Sequence, residues 1–450
     1  MFTRDDTIIA PATAVGIGAI SIIRLSGSCA KSYLEASFTP AKPGANIVSH
    51  RLIYGVLKDR SLHVIDHVMA VYMQGPATFT GEDVVEIHCH ANPYIVKQVL
   101  SVFRQYGARY AEAGEFSYRA FLNGRMDLAE AEAIAELLEA GSESSAKIAL
   151  QHLEGSISAL AQQLHAQLFQ ILTLVEAYLD FPEDEVENIH LDMLHQSADQ
   201  VTDCIQQLIS SFSCGRVMRE GLSILILGKP NVGKSSLLNY LLGRDRAIVT
   251  DIPGTTRDFI EECITLGHLP VKLVDTAGLR ESDDVIEQNG VQRALEKVED
   301  VDLILYVIDG SDFDPVNPLE QLNFGSTPYL VVLNKADKVD VSSLDLNFEH
   351  ICVSALSGYG IDNLKHKIEE TFMVPETADS VVITEQRHYD IFNQVLNEVL
   401  EFKQGLSQYL PGEFLACHIR EAISLLGRIT GETVPEDVLN HIFSRFCVGK

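Results

Sequence analysis

The run Gly228-Lys229-Pro230-Asn231-Val232-Gly233-Lys234-Ser235-Ser236 fits the pattern GxxxxGK[ST]. Those residue types at that spacing suit a phosphate chain. Glycines let backbone N–H groups curl around phosphate oxygens at the positive N-terminus of a helix. A lysine reaches the β- and γ-phosphates, and a hydroxyl ligates Mg²⁺. Lys234 and Ser235 are the residues expected in those two roles. An apolar strand, SILILG, precedes the run and a helical run, SSLLNYLLG, follows it, which is the context the pattern requires.

Three further segments fall at strand ends in the order a guanine-nucleotide site needs. Asp275-Thr276-Ala277-Gly278 follows VKLV. Its carboxylate is placed to hold Mg²⁺ through water, and the Gly278 N–H to sense the γ-phosphate. Asn334-Lys335-Ala336-Asp337 ends YLVVLNKAD. The Asp337 carboxylate can accept from the N1–H and 2-amino groups of guanine. Adenine offers neither donor, so the site rejects ATP. Ser354-Ala355-Leu356 ends HICVSA and can offer a backbone N–H to the guanine O6. Between the first two segments lies Thr250-Asp251-Ile252-Pro253-Gly254-Thr255-Thr256, a polar loop of the kind that switches with nucleotide state. Thr256 is the expected threonine ligand of Mg²⁺. Each short motif is weak alone; four in order, each after a strand, predict a GTP site between about Gly228 and Leu356.

One expected group is missing. Ras-like GTPases carry a glutamine after DxxG to orient the attacking water. Leu279 stands there and cannot do so. A cation must also offset charge developing between the β- and γ-phosphates. Arg257 and Arg280 are candidates, and a solvated surface role is an equal alternative for each.

The elements that position these residues divide the chain into three textures. Residues up to about 118 mix short β-rich runs with Gly and Pro turns. A helical stretch follows, with Leu153, Ile157, Leu160, Leu164, Leu168, Ile171, Leu172, Val175 and Leu179 at three- and four-residue spacing. From about residue 221, apolar strands alternate with helices, the pattern of a mostly parallel sheet with covering helices. Helical patterning returns after about residue 376. The simplest account is a helical domain interrupted by an inserted α/β domain. At 450 residues the chain exceeds one ordinary core.

Composition narrows the function further. The net charge of −29 argues against a broad nucleic-acid surface, because phosphate contacts need Lys and Arg. Any RNA is expected to be held partly by another protein. The eight cysteines form no CxxC pair, which suits reduced cytosolic thiols better than a disulfide frame or a zinc site. No apolar run is long enough to span a bilayer. The N-terminal MFTRDDTIIA carries acidic residues where a signal peptide has positive ones, so a cytoplasmic location is expected.

Over essentially its whole length the chain resembles the MnmE (TrmE) family of bacterial tRNA-modification GTPases. FTGEDVVEIHCH, GEFSYRAFLNGRMDLAEAEAI, TDIPGTTRD, DTAGLRESDDVIE and the terminal Cys447-Val448-Gly449-Lys450 carry the resemblance. It implies an N-terminal α+β folate-binding domain that dimerises (1–118), a discontinuous helical domain (119–215 and 377–450) and an inserted P-loop GTPase domain (216–376). It implies that G domains pair across a homodimer with GTP and K⁺. The K⁺ ligands would be Asn231 with oxygens of Thr250, Ile252 and Thr255, doing the electrostatic work of an arginine finger. Glu287 would orient water. Arg24, Glu86 and Arg125, with Lys450, would hold 5-formyltetrahydrofolate or a related folate.

The family pattern is not kept everywhere. Arg125 stands where the family usually has lysine, which keeps charge but not geometry. The family's HGG reads His90-Ala91-Asn92, and its PGEF reads Ala113-Gly114-Glu115-Phe116. Cys447 is open to chemistry or to a plain packing role. The resemblance further implies an FAD-dependent partner, MnmG (GidA). With it, a carboxymethylaminomethyl or aminomethyl group is added at C5 of the wobble uridine of certain tRNAs. The alternatives are a ribosome-assembly GTPase, which would be expected to carry a basic RNA-binding stretch, and a regulatory GTPase switch without modifying chemistry.

Overall fold

A computed structural model describes residues 6–14, 16–180, 187–244, 262–267, 269–274, 301–311, 324–325, 327–339, 348–372 and 381–449. The chain forms two compact units. The first comprises Met1–Ala135, His152–Ala166 and Ile423–Lys450; the second comprises Glu136–Gln151 and Gln167–Ala422.

The first unit is built on β1 (Ile8–Pro11), β2 (Ser21–Ser26), β3 (Phe38–Pro40), β4 (Ile53–Lys58), β5 (Val64–Met73), β6 (Val84–Cys89) and β7 (Arg109–Tyr110). They form one sheet in the order β3-β4-β5-β6-β2-β1-β7. All neighbours are antiparallel except β1 and β7. Side chains alternate between faces. Ile23, Leu25, Val68, Ala70, Val85 and Ile87 point to a core shared with α1 (Ala30–Ser37) and α2 (Pro93–Tyr106). Alternation therefore sends Arg24 and Glu86, paired in register, to the opposite face. The start of α2 is set by Asn92, whose side chain accepts from the Tyr94 N–H, and by Pro93 in the first turn.

Helix α3 (Glu115–Leu122) packs against the helix Glu436–Ser444. Phe443 is fully buried there, edge-on to Tyr118 at 5.2 Å between ring centroids. Glu115, also fully buried, accepts from Arg109 Nη2 at 2.6 Å and Arg119 Nη2 at 3.0 Å. Arg119 also donates to Asp6 Oδ1 at 2.6 Å. Burial pulls the Arg119 guanidinium toward neutrality, but the surrounding carboxylates outweigh it and hold it charged. The Glu of the AGEF segment is thus part of an ion cluster with Asp6, Arg109 and Arg119. Beside it, Ala113 pairs with Val448 across an antiparallel bridge, and the Gly114 N–H donates to the Cys447 carbonyl at 3.4 Å.

Helices α4 (Leu128–Glu139), α5 (Glu143–Leu153), α6 (Ser156–Asp180) and α7 (Glu187–Glu220) supply the expected helical stretch. The apolar stripe is divided between two of them. Leu153 ends α5, and Gly155, at φ 89°, makes the break. Ile157, Leu164, Leu168, Ile171 and Val175 form the buried stripe of α6.

In the second unit, β8 (Leu222–Leu227), β9 (Glu262–Leu266), β10 (Leu269–Val274), β11 (Leu303–Asp309), β12 (Tyr329–Asn334) and β13 (His350–Cys352) form a sheet ordered β13-β12-β11-β8-β10-β9. Only β9 runs antiparallel to its neighbour. Both faces of β8 are buried. Ile224 and Ile226 meet Leu237, Leu238 and Leu241 of α8 (Lys234–Arg244), while Leu225 and Leu227 join Ile304, Tyr306 and Phe324. That two-sided burial is what continuous apolar strands of a parallel sheet require.

Phe443→Ala would empty a fully buried aromatic site. It should cost about 3–5 kcal/mol of local stability. Amide hydrogen exchange should show the loss as faster exchange along α3; unchanged protection there would contradict the packing described.

Candidate functional site

The segment expected to cradle phosphates leaves the C-terminal end of β8, where the sheet order turns from β10 on one side to β11 on the other. Open α/β sheets bind ligands at such a switch point. The chain leaves β8 at Gly228, with φ 149°, where an added Cβ would lie 2.2 Å from the Val307 carbonyl. Asn231 takes φ 62° and Gly233 φ 96° before α8 begins at Lys234. Left-handed residues just before a helix N-terminus are the kind of backbone from which an anion-binding nest of N–H groups is built. Lys234 Nζ donates to the carbonyls of Gly228 at 2.9 Å and Lys229 at 2.8 Å, so its ammonium is held over the loop. Ser235 and Ser236 occupy the first turn of the helix.

The end of β12 is interlocked with this loop. Asn334 Nδ2 donates to the Val232 carbonyl at 2.9 Å, and Asn334 Oδ1 accepts from the Ala355 N–H at 3.0 Å. An added Cβ at Gly233 would lie 2.2 Å from Asn334 Nδ2, so glycine is also needed for this approach. Lys335, with φ 64°, donates from Nζ to the Asn231 carbonyl at 2.9 Å. Ala336 opens a 3₁₀ turn that carries Asp337. Ser354 Oγ donates to Asp337 Oδ1 at 2.6 Å. That hydroxyl, more than anything else nearby, holds the Asp337 carboxyl below the usual aspartate range. The carboxylate is therefore ionised throughout the neutral range and ready to accept. The Ser354 N–H already donates to Tyr359 O at 2.9 Å and the Ala355 N–H to Asn334. The Leu356 side chain is exposed.

One residue of this cluster escaped the sequence reading. Asp309 ends β11, and its Oδ2 is paired with Lys335 Nζ. Its Oδ1 accepts from the Ser311 N–H at 2.9 Å and from Ser311 Oγ at 2.6 Å. Burial pushes the Asp309 carboxyl up, but the bonds from Lys335 and Ser311 prevail and hold it below its ordinary value. The available signal was a carboxylate closing the apolar strand LILYVID. Thr250, Asp251, Ile252, Pro253, Gly254, Thr255, Thr256, Arg257, Asp275, Thr276, Ala277, Gly278, Leu279, Arg280, Glu287 and Lys450 lie outside the described residues.

In the first unit, Arg24 and Glu86 are brought together on the sheet face away from the core. Arg24 donates to Glu86 Oε1 from Nε at 2.9 Å, with Nη2 at 2.8 Å. Its guanidinium lies 5.5 Å from the Phe79 ring centroid and 5.8 Å from that of Phe116. Arg125 is not part of this pair; its Nε donates to the Thr78 carbonyl at 3.1 Å, one residue before Phe79. His88 shares the face, its buried Nε2 without a hydrogen-bond partner and 3.7 Å from Glu86 Oε2. A buried polar atom left unsatisfied marks a place that a polar ligand can complete. Glu86, with one oxygen engaged by Arg24 and the other facing His88, suits a heterocycle bearing N–H donors. Cys447 is an exposed free thiol.

The P-loop tied to the Asn334–Asp337 strand end places the second unit among the P-loop GTPases. The family model described as the MnmE helical domain matches residues 128–447, and that described as the GTP-binding protein TrmE N-terminus matches residues 7–125. A relative from Syntrophotalea carbinolica, the tRNA modification GTPase MnmE, is 45% identical, covering 99% of this chain and 100% of its own. Relatives of the same name from Geobacter metallireducens and Clostridioides difficile are 41% and 40% identical, each alignment covering 99% of both chains. The chain belongs to the MnmE (TrmE) family of tRNA modification GTPases.

Asp337→Asn should weaken GTP binding on the order of 10²-fold, because the amide cannot accept from both guanine donors. It should strengthen binding of xanthosine nucleotide, whose extra carbonyl the amide can address. Equilibrium titration with fluorescent GDP and XDP checks both. Unchanged GDP affinity with no gain for XDP would refute this placement of the base.

Proposed function

We propose that the chain hydrolyses GTP in the service of tRNA wobble-uridine modification. With an FAD-dependent partner of the MnmG (GidA) type, it adds a carboxymethylaminomethyl or aminomethyl group at C5. The observation that carries this reading is the Asn334 amide, which ties the phosphate loop at Val232 to the base-recognition segment at Ala355. A ligand with both a phosphate chain and a base would touch the two segments that this amide joins. The full-length likeness to tRNA modification GTPases supplies the substrate class.

In this reading Ser235 and Thr256 hold Mg²⁺, and Asn231 with Thr250, Ile252 and Thr255 holds K⁺. Bound K⁺ supplies positive charge beside the phosphates. Glu287 orients water in place of Leu279. Arg24 and Glu86, with Arg125 and Lys450, hold a folate that brings the one-carbon unit, and Cys447 lies in the same terminal motif. The functional particle is a cytoplasmic homodimer joined by the partner and tRNA. The chain's own acidity leaves most tRNA phosphate contacts to that partner. The domain limits 1–118, 119–215, 216–376 and 377–450 express the same reading. Among the described residues no helix is long and apolar enough to cross a membrane.

Three measurements test the reading beyond nucleoside analysis of tRNA from cells lacking the protein. Glu287→Ala should leave GTP affinity nearly intact and lower kcat by roughly 10²-fold or more. Turnover should slow when Na⁺ replaces K⁺. Equal rates in the two salts, or full activity in Glu287→Ala, would require another charge-stabilising residue. For the first unit, calorimetry with 5-formyltetrahydrofolate should give heat that Glu86→Ala abolishes. A silent titration of the parent protein would favour a regulatory GTPase without modifying chemistry.

A further inference from the structure

Among the described non-glycine residues, few adopt left-handed backbone, and two of them, Asn231 and Lys335, belong to the nucleotide site. Left-handed backbone is costly for residues with a Cβ and persists only where surroundings hold it. Here the two positions hold each other: Lys335 Nζ donates to the Asn231 carbonyl at 2.9 Å. The ammonium that makes this bond is on a long, flexible stem, so by itself it would spend little time in one place. Asp309 removes that freedom. Its Oδ2 pairs with the same ammonium, and its Oδ1 is fixed by the Ser311 N–H and hydroxyl.

We propose that Asp309 is a positioning residue of the nucleotide site, acting through Lys335 to hold the phosphate loop at Asn231 in its left-handed form. The consequence is a coupling between the two halves of the ligand. A base docked against Asn334–Asp337 stabilises Lys335, and Lys335 stabilises the loop that receives the phosphates. The chain of contacts is Ser311 to Asp309, Asp309 to Lys335, Lys335 to Asn231. It runs beside the Asn334–Val232 bond, through the neighbouring residue of each segment. It rests on the reading of this cluster as the GTP site. It adds a residue whose side chain meets Lys335 and Ser311.

The distinguishing experiment is a double-mutant cycle on the full chain, read by stopped-flow release of fluorescent GDP. Asp309→Asn should speed release by about tenfold or more, the size of losing one charge-assisted hydrogen bond. Lys335→Met should speed it at least as much. The double variant should be no worse than Lys335→Met alone, because Asp309 acts only through that side chain. Thermal unfolding of Asp309→Asn should stay close to the parent, separating positioning from a general loss of fold. The potassium concentration giving half-maximal turnover should rise in Asp309→Asn, because Asn231 is then less firmly set. Additive effects in the double variant, or unchanged GDP release in Asp309→Asn, would overturn the role of Asp309. A parent protein that does not retain fluorescent GDP at all would instead overturn the nucleotide-site reading on which it rests.

Discussion

The second unit depends on one side-chain amide. Asn334 closes β12 and is almost wholly buried, where an unsatisfied amide would be costly. Both ends of it are used: the nitrogen on Val232 in the phosphate loop, the oxygen on Ala355 beyond β13. Three loops that enter from different strands are thereby fixed to one another. The close approach demands a residue without Cβ at Gly233, the same position that the phosphate nest needs. Packing and ligand chemistry thus select the same glycine for separate reasons.

The first unit answers a different constraint. Its sheet has only one face covered by α1 and α2, so the alternation of side chains leaves a second face to be managed. At the β1–β7 end, that face carries Arg24 against Phe79 and Phe116, with Ile8 and Ala10 packed nearby. The ion cluster of Asp6, Arg109, Glu115 and Arg119 stands behind it. Glu115 and Arg119 are buried within it, and the desolvation of those two charges makes the cluster weak evidence for net stability. It does make the position of α3 specific, because moving Glu115 would leave Arg109 and Arg119 to share Asp6, with Glu82 the other carboxylate on Arg119.

Two segments of the candidate site were legible in the sequence because they sit at strand ends, and apolar strands announce themselves. The glycine pattern before α8 and the Asn334–Asp337 segment fall where their spacing put them. Asp309 was not legible: one carboxylate after a strand has no spacing partner until Lys335 folds onto it. Long-range pairing of that kind leaves no periodic trace. The pairing of Arg24 with Glu86 was also beyond sequence pattern, because register between β2 and β6 is set by which face each strand buries. Glu115 was not legible either: its buried carboxylate is held by Arg109 and Arg119, pairings that sequence spacing does not announce. The α5–α6 break was hidden because an apolar stripe can continue across a glycine turn.

The contact of Ala113 with Val448, and of Gly114 with Cys447, has a consequence for how the protein is made. The first unit takes residues from both early and late stretches of the chain. During synthesis its sheet can pair as soon as Tyr110 has emerged. The apolar side of α3 can meet Leu128 and Ala131 early, but the cover from Leu439, Phe443 and Phe446 arrives only after the whole second unit has been translated. For that interval Tyr118 and Phe121 would lack part of their packing, and incompletely covered apolar surface on a nascent chain is what chaperones bind. The terminal segment is thus a late-arriving lid on the earliest-made sheet, and a ribosome that stalls before it leaves the first unit open.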